Sequence, residues 1–293
     1  MSGCTLCPRK CGVDRKSKVG FCGAGDEIRV ARTMLHMWEE PCISGTRGSG
    51  AIFFSGCVLK CAYCQNRDIS HRISGEVLSI RALADKMLDL QARGAHNINL
   101  VTPTHYADKI RATLDMIRGE LEIPVVYNTG GYESVSEIAK MAGYVDVFLT
   151  DIKYCSSELS RQYSLADNYY EMAKESLLKM LEICPECDFD GDGIMRRGVI
   201  LRHLVLPSHR RDSIKILEDI ARSCDISKLK LSLMSQYTPD FYEGESEALK
   251  RRITTFEYQS TVNRALELGY EGYIQEKSSA NKKYTPDFSG KKE

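Results

Sequence analysis

The sequence lacks an excess of charge of either sign: 40 Lys and Arg stand against 40 Asp and Glu, for a formal net charge of zero. No global basic field is available to collect nucleic acid or anionic lipid, so general nucleic-acid binding is not expected and any such partner would need a local patch. The sequence also lacks an apolar run near the roughly 20 residues that cross a bilayer. Its start, MSGCTLCPRKCGVDRK, has no apolar core of a secretory leader. A membrane protein is therefore not expected, and a reducing cytoplasm is. There is no long low-complexity segment and no internal repeat, which leaves one large α/β unit, or one such unit with a small appendage, as the organisation for 293 residues.

What the chain has in quantity is cysteine, twelve in all. A disulfide-stapled fold would call for a short secreted chain, and in a reducing compartment closely spaced thiols are more often metal ligands. From about residue 50, short apolar runs alternate with longer helical patterns, the rhythm of βαβ units on a parallel sheet. Six strands are expected, at Ala51–Ser55, Asn97–Thr102, Pro124–Asn128, Val145–Thr150, Val199–Leu206 and Lys230–Met234. Ile80, Leu83, Met87 and Leu90 make one helical face between the first two, with Gly94 suited to the C′ position. Further helices are expected at about 106–118, 133–142, 158–182, 211–223 and 245–268. Such units close into either a doubly wound sheet or an open part-barrel, with functional groups at the C-terminal ends of the strands in both.

Directly after the first strand stands Ser-Gly-Cys57-Val-Leu-Lys-Cys61-Ala-Tyr-Cys64. Three thiolates on a loop leaving a strand suit three corners of an iron–sulfur cube and leave one iron open. A structural zinc loop would use two ligand pairs, and no fourth partner is evident nearby.

Cys-x3-Cys-x2-Cys with an aromatic before the third cysteine resembles the radical S-adenosylmethionine (SAM) superfamily. The stretches GSGAIFFSGC, HNINLVTPTHY, VVYNTGGYE, DVFLTDIKY, RHLVLPSH and SLMSQYTP resemble the uncharacterised branch of pyruvate formate-lyase activating-enzyme homologues, over about residues 4–276. The resemblance implies a (β/α)6 partial TIM barrel that carries a 4Fe-4S cluster and SAM at its strand C-termini, here behind a small cysteine-rich, metal-binding amino-terminal segment. It implies reductive SAM cleavage to a 5′-deoxyadenosyl radical that takes hydrogen from a substrate, and a low-potential electron donor such as flavodoxin or ferredoxin. The substrate would be a glycyl-radical protein or, alternatively, a small molecule or peptide; a non-catalytic metal-binding module is a third possibility, against which the open-iron triad stands. The chain divides into residues 1–49 as the cysteine-rich segment, 50–276 as the barrel and 277–293 as a polar, mobile tail.

No residue is assigned a catalytic role, but several are candidates for holding the cofactor. Where the superfamily has a Gly-Gly-Glu-like segment after the second strand, this chain has Thr102-Pro-Thr104-His105. Thr102 and Thr104 offer neutral hydrogen bonds to the SAM amino group instead, and His105 is expected to approach the substrate. Asn128 can meet a ribose or carboxylate, although Asn-Thr-Gly-Gly is also ordinary turn chemistry. Asp151 and Lys153, two apart on one strand face, point either into the barrel mouth or into a structural ion pair. Arg202 suits a bidentate clamp if it faces inward; the alternative is that Arg202 or His203 faces the helix layer. Gln236, Tyr237, Gln275 and Glu276 rank below these.

The first 22 residues hold Cys4, Cys7, Cys11 and Cys22 with little apolar content, so a bound metal, zinc or a second iron–sulfur cluster, is the expected organiser of this segment. The quartet is expected to bind independently of the triad; Cys42 is also available, and His36 is read as a packed residue. Cys184-Pro-Glu-Cys187-Asp-Phe-Asp-Gly-Asp-Gly193 invites redox, metal or calcium readings, but reads best as a solvent loop before the fifth strand. Cys155 and Cys224 are expected to be structural thiols.

Overall fold

The computed structural model describes residues 3–275 and Phe288. The expected tail at 277–293 lies outside these residues except for Phe288, as does Glu276. In chain order the strands are β1 (Ile28–His36), β2 (Ser49–Phe54), β3 (Glu76–Leu78), β4 (Ile98–Val101), β5 (Val125–Thr129), β6 (Val147–Asp151), β7 (Asp188–Phe189), β8 (Met195–Leu204), β9 (Lys230–Met234) and β10 (Gly272–Ile274). The α-helices are α1 (Pro41–Ser44), α2 (Arg67–Ser70), α3 (Ile80–Ala92), α4 (Ala107–Met116), α5 (Val135–Ala139), α6 (Ser157–Ser164), α7 (Tyr169–Ile183), α8 (Arg210–Ser223) and α9 (Thr255–Glu267).

All six strands expected from sequence are present, as β2, β4, β5, β6, β8 and β9, and all pair in parallel along the order β10-β9-β8-β6-β5-β4-β2-β1-β3. Two antiparallel strands, β1 and β3, extend the β2 edge, so residues 28–36 of the cysteine-rich segment belong to the main sheet. Alternation decides what each face does. Ile52, Phe54, Leu100, Tyr127, Phe148 and Leu201 face the main core, together with Leu83 and Met87 of α3, Ile110 of α4, Leu177 of α7 and Ile216 of α8. Val126, Val147, Leu149 and Ile200 face the other way, against Cys42 and Ile43 of α1. The long helices α3, α4, α7 and α8 thus pack on one face, and the opposite face meets the short α1, Ile69 of the short α2 and polar groups.

Local chemistry accounts for the helix ends. Ser79 accepts from Ala82 N–H at the start of α3, Gly94 at φ 85° follows its end, and Thr254 with Glu257 forms a capping box on α9. The continuous helix expected at 158–182 is instead two, divided where Leu165 takes a left-handed conformation (φ 54°). The break leaves the Ser164 and Leu165 carbonyls free, and Arg9 donates to both. The 184–193 stretch is not a plain solvent loop: β7 pairs antiparallel with β8, and the Asp190 carboxylate accepts from Asp192 and Ile194 N–H across the turn. Among the described residues no helix is long and apolar enough to cross a membrane.

Candidate active site

Because the central strands are parallel, their C-terminal ends share one edge of the sheet, and the loop after β2 leaves from that edge. Main-chain hydrogen bonds hold it. Gly56 N–H donates to Ile69 O (2.7 Å), Cys57 N–H to Cys22 O (3.2 Å), Ala62 N–H to Tyr163 O (2.8 Å) and Glu243 N–H to Ala62 O (2.9 Å). Gly56 sits at φ 91°, where a Cβ would lie 2.6 Å from Cys22 O; only glycine fits. Tyr63, the aromatic before the third cysteine, is buried, bonds the Tyr154 hydroxyl at 2.6 Å and lines the cavity beside the cysteines.

The three thiols face a common region. The Leu59 amide donates to Cys57 Sγ at 3.4 Å, while Cys61 Sγ lies 3.0 Å from Ser164 Oγ and Cys64 Sγ 3.2 Å from Ser70 Oγ. Burial, with the neighbouring Cys61 and Cys64 acting in the same direction, pushes the Cys57 thiol up to about 12. Burial likewise raises Cys61, against the pull of Lys153. Three thiolates this close are costly without a cation among them, and a cationic metal core removes that cost. Among the described residues no three Cys, His, Asp or Glu side chains converge to metal-bonding geometry, so the fit of a cluster rests on the donor chemistry and placement of these thiols.

Beside Cys61 and Cys64 a cavity of about 200 Å³ opens onto Asp151, Lys153, Arg202 and Gln236. Arg202 Nε donates to Asp151 Oδ1 (2.8 Å) and Lys153 Nζ to Asp151 Oδ2 (2.5 Å). Arg202 also reaches Asn128 Oδ1 (2.5 Å) and Glu39 Oε2 (3.3 Å), and Asn128 Nδ2 donates to Glu39 Oε1 (3.3 Å). Burial alone would raise the Asp151 carboxyl, but Arg202 and Lys153 outweigh it and hold it below the usual carboxylate range. The structure therefore brings together four of the sequence candidates, Asn128, Asp151, Lys153 and Arg202, with both charged readings of Asp151 satisfied at once: it is an ion pair, and it lines the mouth.

Other candidates go elsewhere. Thr104 is buried and donates to Glu133 Oε1 at 2.5 Å, and Thr102 sits at φ 58° with its N–H on Asn128 O. Neither lines the mouth cavity. His105 is 2% exposed beneath the cluster loop, where its Nε2 meets the Ser55 carbonyl at 2.8 Å; it supports the loop rather than approaching a substrate. His203 points away from the mouth to the Ile152 carbonyl. Two residues escaped sequence reasoning altogether, Glu39 and Glu40, delivered by the β1–β2 connection. Glu40 is 5% exposed, and burial raises its carboxyl above the ordinary range. Adjacent acids before Pro41 were the available signal, and no periodicity marks them.

The amino-terminal segment packs on the same loop. Arg9 donates to Val58 O (3.0 Å) and lies over the Phe21 and Tyr132 rings, while Arg15 donates to His105 O (2.5 Å) and Gly25 O (2.9 Å). Two arginines and the buried Cys7 and Cys22 thus help order a segment in which sequence suggested a metal as the organiser.

The profile described as Radical SAM superfamily matches residues 51–195, which include the three cysteines and the β6 end. An uncharacterized protein of Methanocaldococcus jannaschii, MJ0674, is 30% identical over 274 residues, covering 90% of this chain and 73% of that protein. A radical SAM methyltransferase from Sphaerobacter thermophilus superposes with a TM-score of 0.51 at 13% identity, over 78% of this chain and 66% of that one. Streptococcus suis SuiB bound to S-adenosylmethionine gives 0.47 at 13% identity, over 75% of this chain and 47% of that one. The chain therefore spans between about half and two thirds of those solved chains, and at 13% identity the likeness to the methyltransferase speaks for the fold alone.

Proposed function

The chain belongs to the radical SAM superfamily, and on that premise we propose that it binds a 4Fe-4S cluster through Cys57, Cys61 and Cys64 and cleaves SAM to abstract hydrogen from a substrate. The observation that carries this reading is the position of the cysteine loop at the C-terminal edge of a parallel sheet, with Cys61 and Cys64 lining the Asp151–Lys153–Arg202 cavity. A cluster held by Cys57, Cys61 and Cys64 would supply the electron for reductive cleavage of the SAM sulfonium, the chemistry on which hydrogen abstraction would depend. The protein's own groups position the cofactor. Arg202, with five fixed donors, suits the SAM carboxylate or ribose, and Asn128 beside it supplies both a donor and an acceptor. Asp151 is the one mouth carboxylate shared by two cations, so it fixes both of them. We include in the proposal the curvature of the open sheet into a (β/α)6 part-barrel, for which the packing of α3, α4, α7 and α8 on one face is the support.

Substrate class divides the reading. The resemblance to activating enzymes favours a glycyl-radical protein. A second cavity of about 430 Å³, bounded by Trp38, Glu39, Glu40 and Tyr273 and sharing Gln236 with the mouth, favours a small molecule or peptide.

Anaerobic reconstitution followed by assay of 5′-deoxyadenosine tests the chemistry. Cys61→Ala should reduce the product to background while the far-UV spectrum stays that of the parent, since losing one sulfur at the rim of the core removes a metal ligand but little buried apolar area. Normal iron content and product yield in that variant would sink the triad. Incubation with deuterated SAM and a native extract then identifies the class of species that exchanges label.

A further inference from the structure

We infer that Cys4, Cys7, Cys11 and Cys22 form a metal centre of their own, a soft metal held by four thiolates, built directly onto the Cys57 end of the cluster loop. The proposal rests on the reading above only for the identity of its neighbour.

The geometry carries it in three steps. First, the chain folds back so that cysteines distant in sequence become neighbours, Cys4 pairing its main chain with Gly12 and Val13, although among the described residues no three of the thiols converge to metal-bonding geometry. A Cβ at Gly20 would lie 3.3 Å from Cys11 Sγ and 3.4 Å from Cys22 Sγ, and Cys22 and Cys4 each stand near enough to Cys7 to add to its charge repulsion. Second, the segment repeats a motif seen in the triad. At Cys57 the amide two residues on donates to the sulfur. The Arg9 amide stands near Cys7, and the Ala24 amide near Cys22, each two residues on from its cysteine. Main-chain N–H groups aimed at sulfur stabilise a thiolate and fix its direction, the kind of support that ligating cysteines need. Third, the surroundings suit an anionic tetrathiolate site. Residues 1–22 carry Arg9, Lys10, Arg15, Lys16 and Lys18 against Asp14 alone, in a chain with no net charge.

The connection to the triad is equally direct. Cys22 is at once a ligand of the inferred site and the residue whose carbonyl accepts from Cys57 N–H at 3.2 Å. Arg9, whose amide stands near Cys7, extends its side chain to Val58 O, the next residue of the loop. The independence expected from sequence is thereby replaced by contact: a metal that fixes Cys7 and Cys22 also fixes the main chain on which Cys57 stands. Four thiolates take zinc or an iron–sulfur cluster with the same chemistry, and the metal is an outcome of the test.

The test separates this site from SAM chemistry. The full chain carrying Cys57→Ala, Cys61→Ala and Cys64→Ala is loaded anaerobically with zinc(II) alone and, separately, with iron and sulfide. Zinc at one per chain, or a cluster absorbance with matching iron, is expected, and it should vanish when Cys7→Ser and Cys11→Ser are added. Absence of both from a chain with an unchanged far-UV spectrum would overturn the site, whatever the triad does in the parent protein. Coupling is read in the opposite background. With Cys57, Cys61 and Cys64 intact, Cys7→Ser with Cys11→Ser should weaken iron retention by the triad against a chelator by about tenfold, the usual scale for loss of a ligand's outer support. Because proteins that lose a metal site sometimes unfold, Lys10→Ser, on the same segment with all four thiols kept, serves as the control and should leave both sites loaded. Unchanged chelator resistance in the cysteine double variant would overturn the coupling.

Discussion

The cluster loop and the mouth lie side by side but are held by different means. Residues 55–64 are fixed by main-chain hydrogen bonds to Ile69, Cys22 and Tyr163, so what the loop demands of most side chains is room. The mouth is fixed by charges: Arg202 joins Asp151, Asn128 and Glu39, and Lys153 closes on Asp151. A scaffold of the first kind tolerates changes of polarity and fails on an added methyl group. One of the second kind tolerates small changes of shape and fails when a charge is removed. The difference suits their parts, since ligands must stay at fixed spacing whereas groups that meet a cofactor must exchange partners when it arrives.

The sharpest way to break that contrast is at the mouth. Asp151→Asn keeps the shape but leaves Arg202 and Lys153, 15% and 19% exposed at the side chain, with Glu39 as the nearest remaining counter-charge. An unpaired buried cation costs about 3–5 kcal/mol. Chemical denaturation should register a loss on that scale, with SAM affinity falling alongside, while iron retention in the folded fraction stays at the parent level. Parent stability in Asp151→Asn would mean that the mouth is not held by charge.

The reverse experiment is Gly56→Ala. Here no charge changes, but a Cβ is placed at φ 91° within 2.6 Å of Cys22 O. The strain is worth about 1–3 kcal/mol and is relieved by moving Cys22 away. Stability should fall by that amount, the amino-terminal segment should become the first site of limited proteolysis, and the Asp151 network should be untouched. A parent-like proteolysis pattern would show that the loop does not depend on the Cys22 contact.

The two regions were not equally legible in the sequence. The loop was, because three thiols at fixed spacing after an apolar strand are a local signal. The six central strands were, because each is short, apolar and followed by a turn or a helix. Asn128, Asp151 and Arg202 were found because they stand at or near strand ends, and parallel pairing then brought them together: Asn128 aligns with Leu149, and Asp151 with Arg202. Glu39 was not, since it enters on the connection between two antiparallel strands, one of which, β1, shows no regular alternation of buried and half-buried residues. The break between α6 and α7 was also hidden. It has no glycine or proline, and its cause is tertiary: Arg9, more than 150 residues away in sequence, takes the carbonyls that the break frees. Thr104 was misread for a related reason, because its partner, Glu133, comes from a different βα connection.

The smallest effect expected is at His105, and there the loop's dependence on neutral main-chain bonding becomes a dependence on pH. Its Nε2 faces the Ser55 carbonyl and so must carry the proton, while Nδ1 is buried with no hydrogen-bond partner. Burial lowers the imidazole from 6.5 to about 4, and Arg15 and Lys60 nearby act in the same direction. A second proton would have to sit on Nδ1, where nothing accepts it. Between pH 6.5 and about 4 the unfolded chain therefore binds more protons at this residue than the folded one, and stability is lost as pH falls through that window. His105→Gln keeps a donor for Ser55 O but cannot be protonated. At pH 7 it should cost about 1 kcal/mol through an imperfect hydrogen bond. At pH 5 the parent will have given up about 2 kcal/mol at His105 that the variant does not, so the difference between them should close or reverse. Because all other titrating groups are common to both proteins, comparing their denaturation midpoints across pH 4.5 to 7.5 isolates the imidazole; a gap independent of pH would mean that His105 is protonated as readily in the folded chain as in the unfolded one, and that the loop rests on something else.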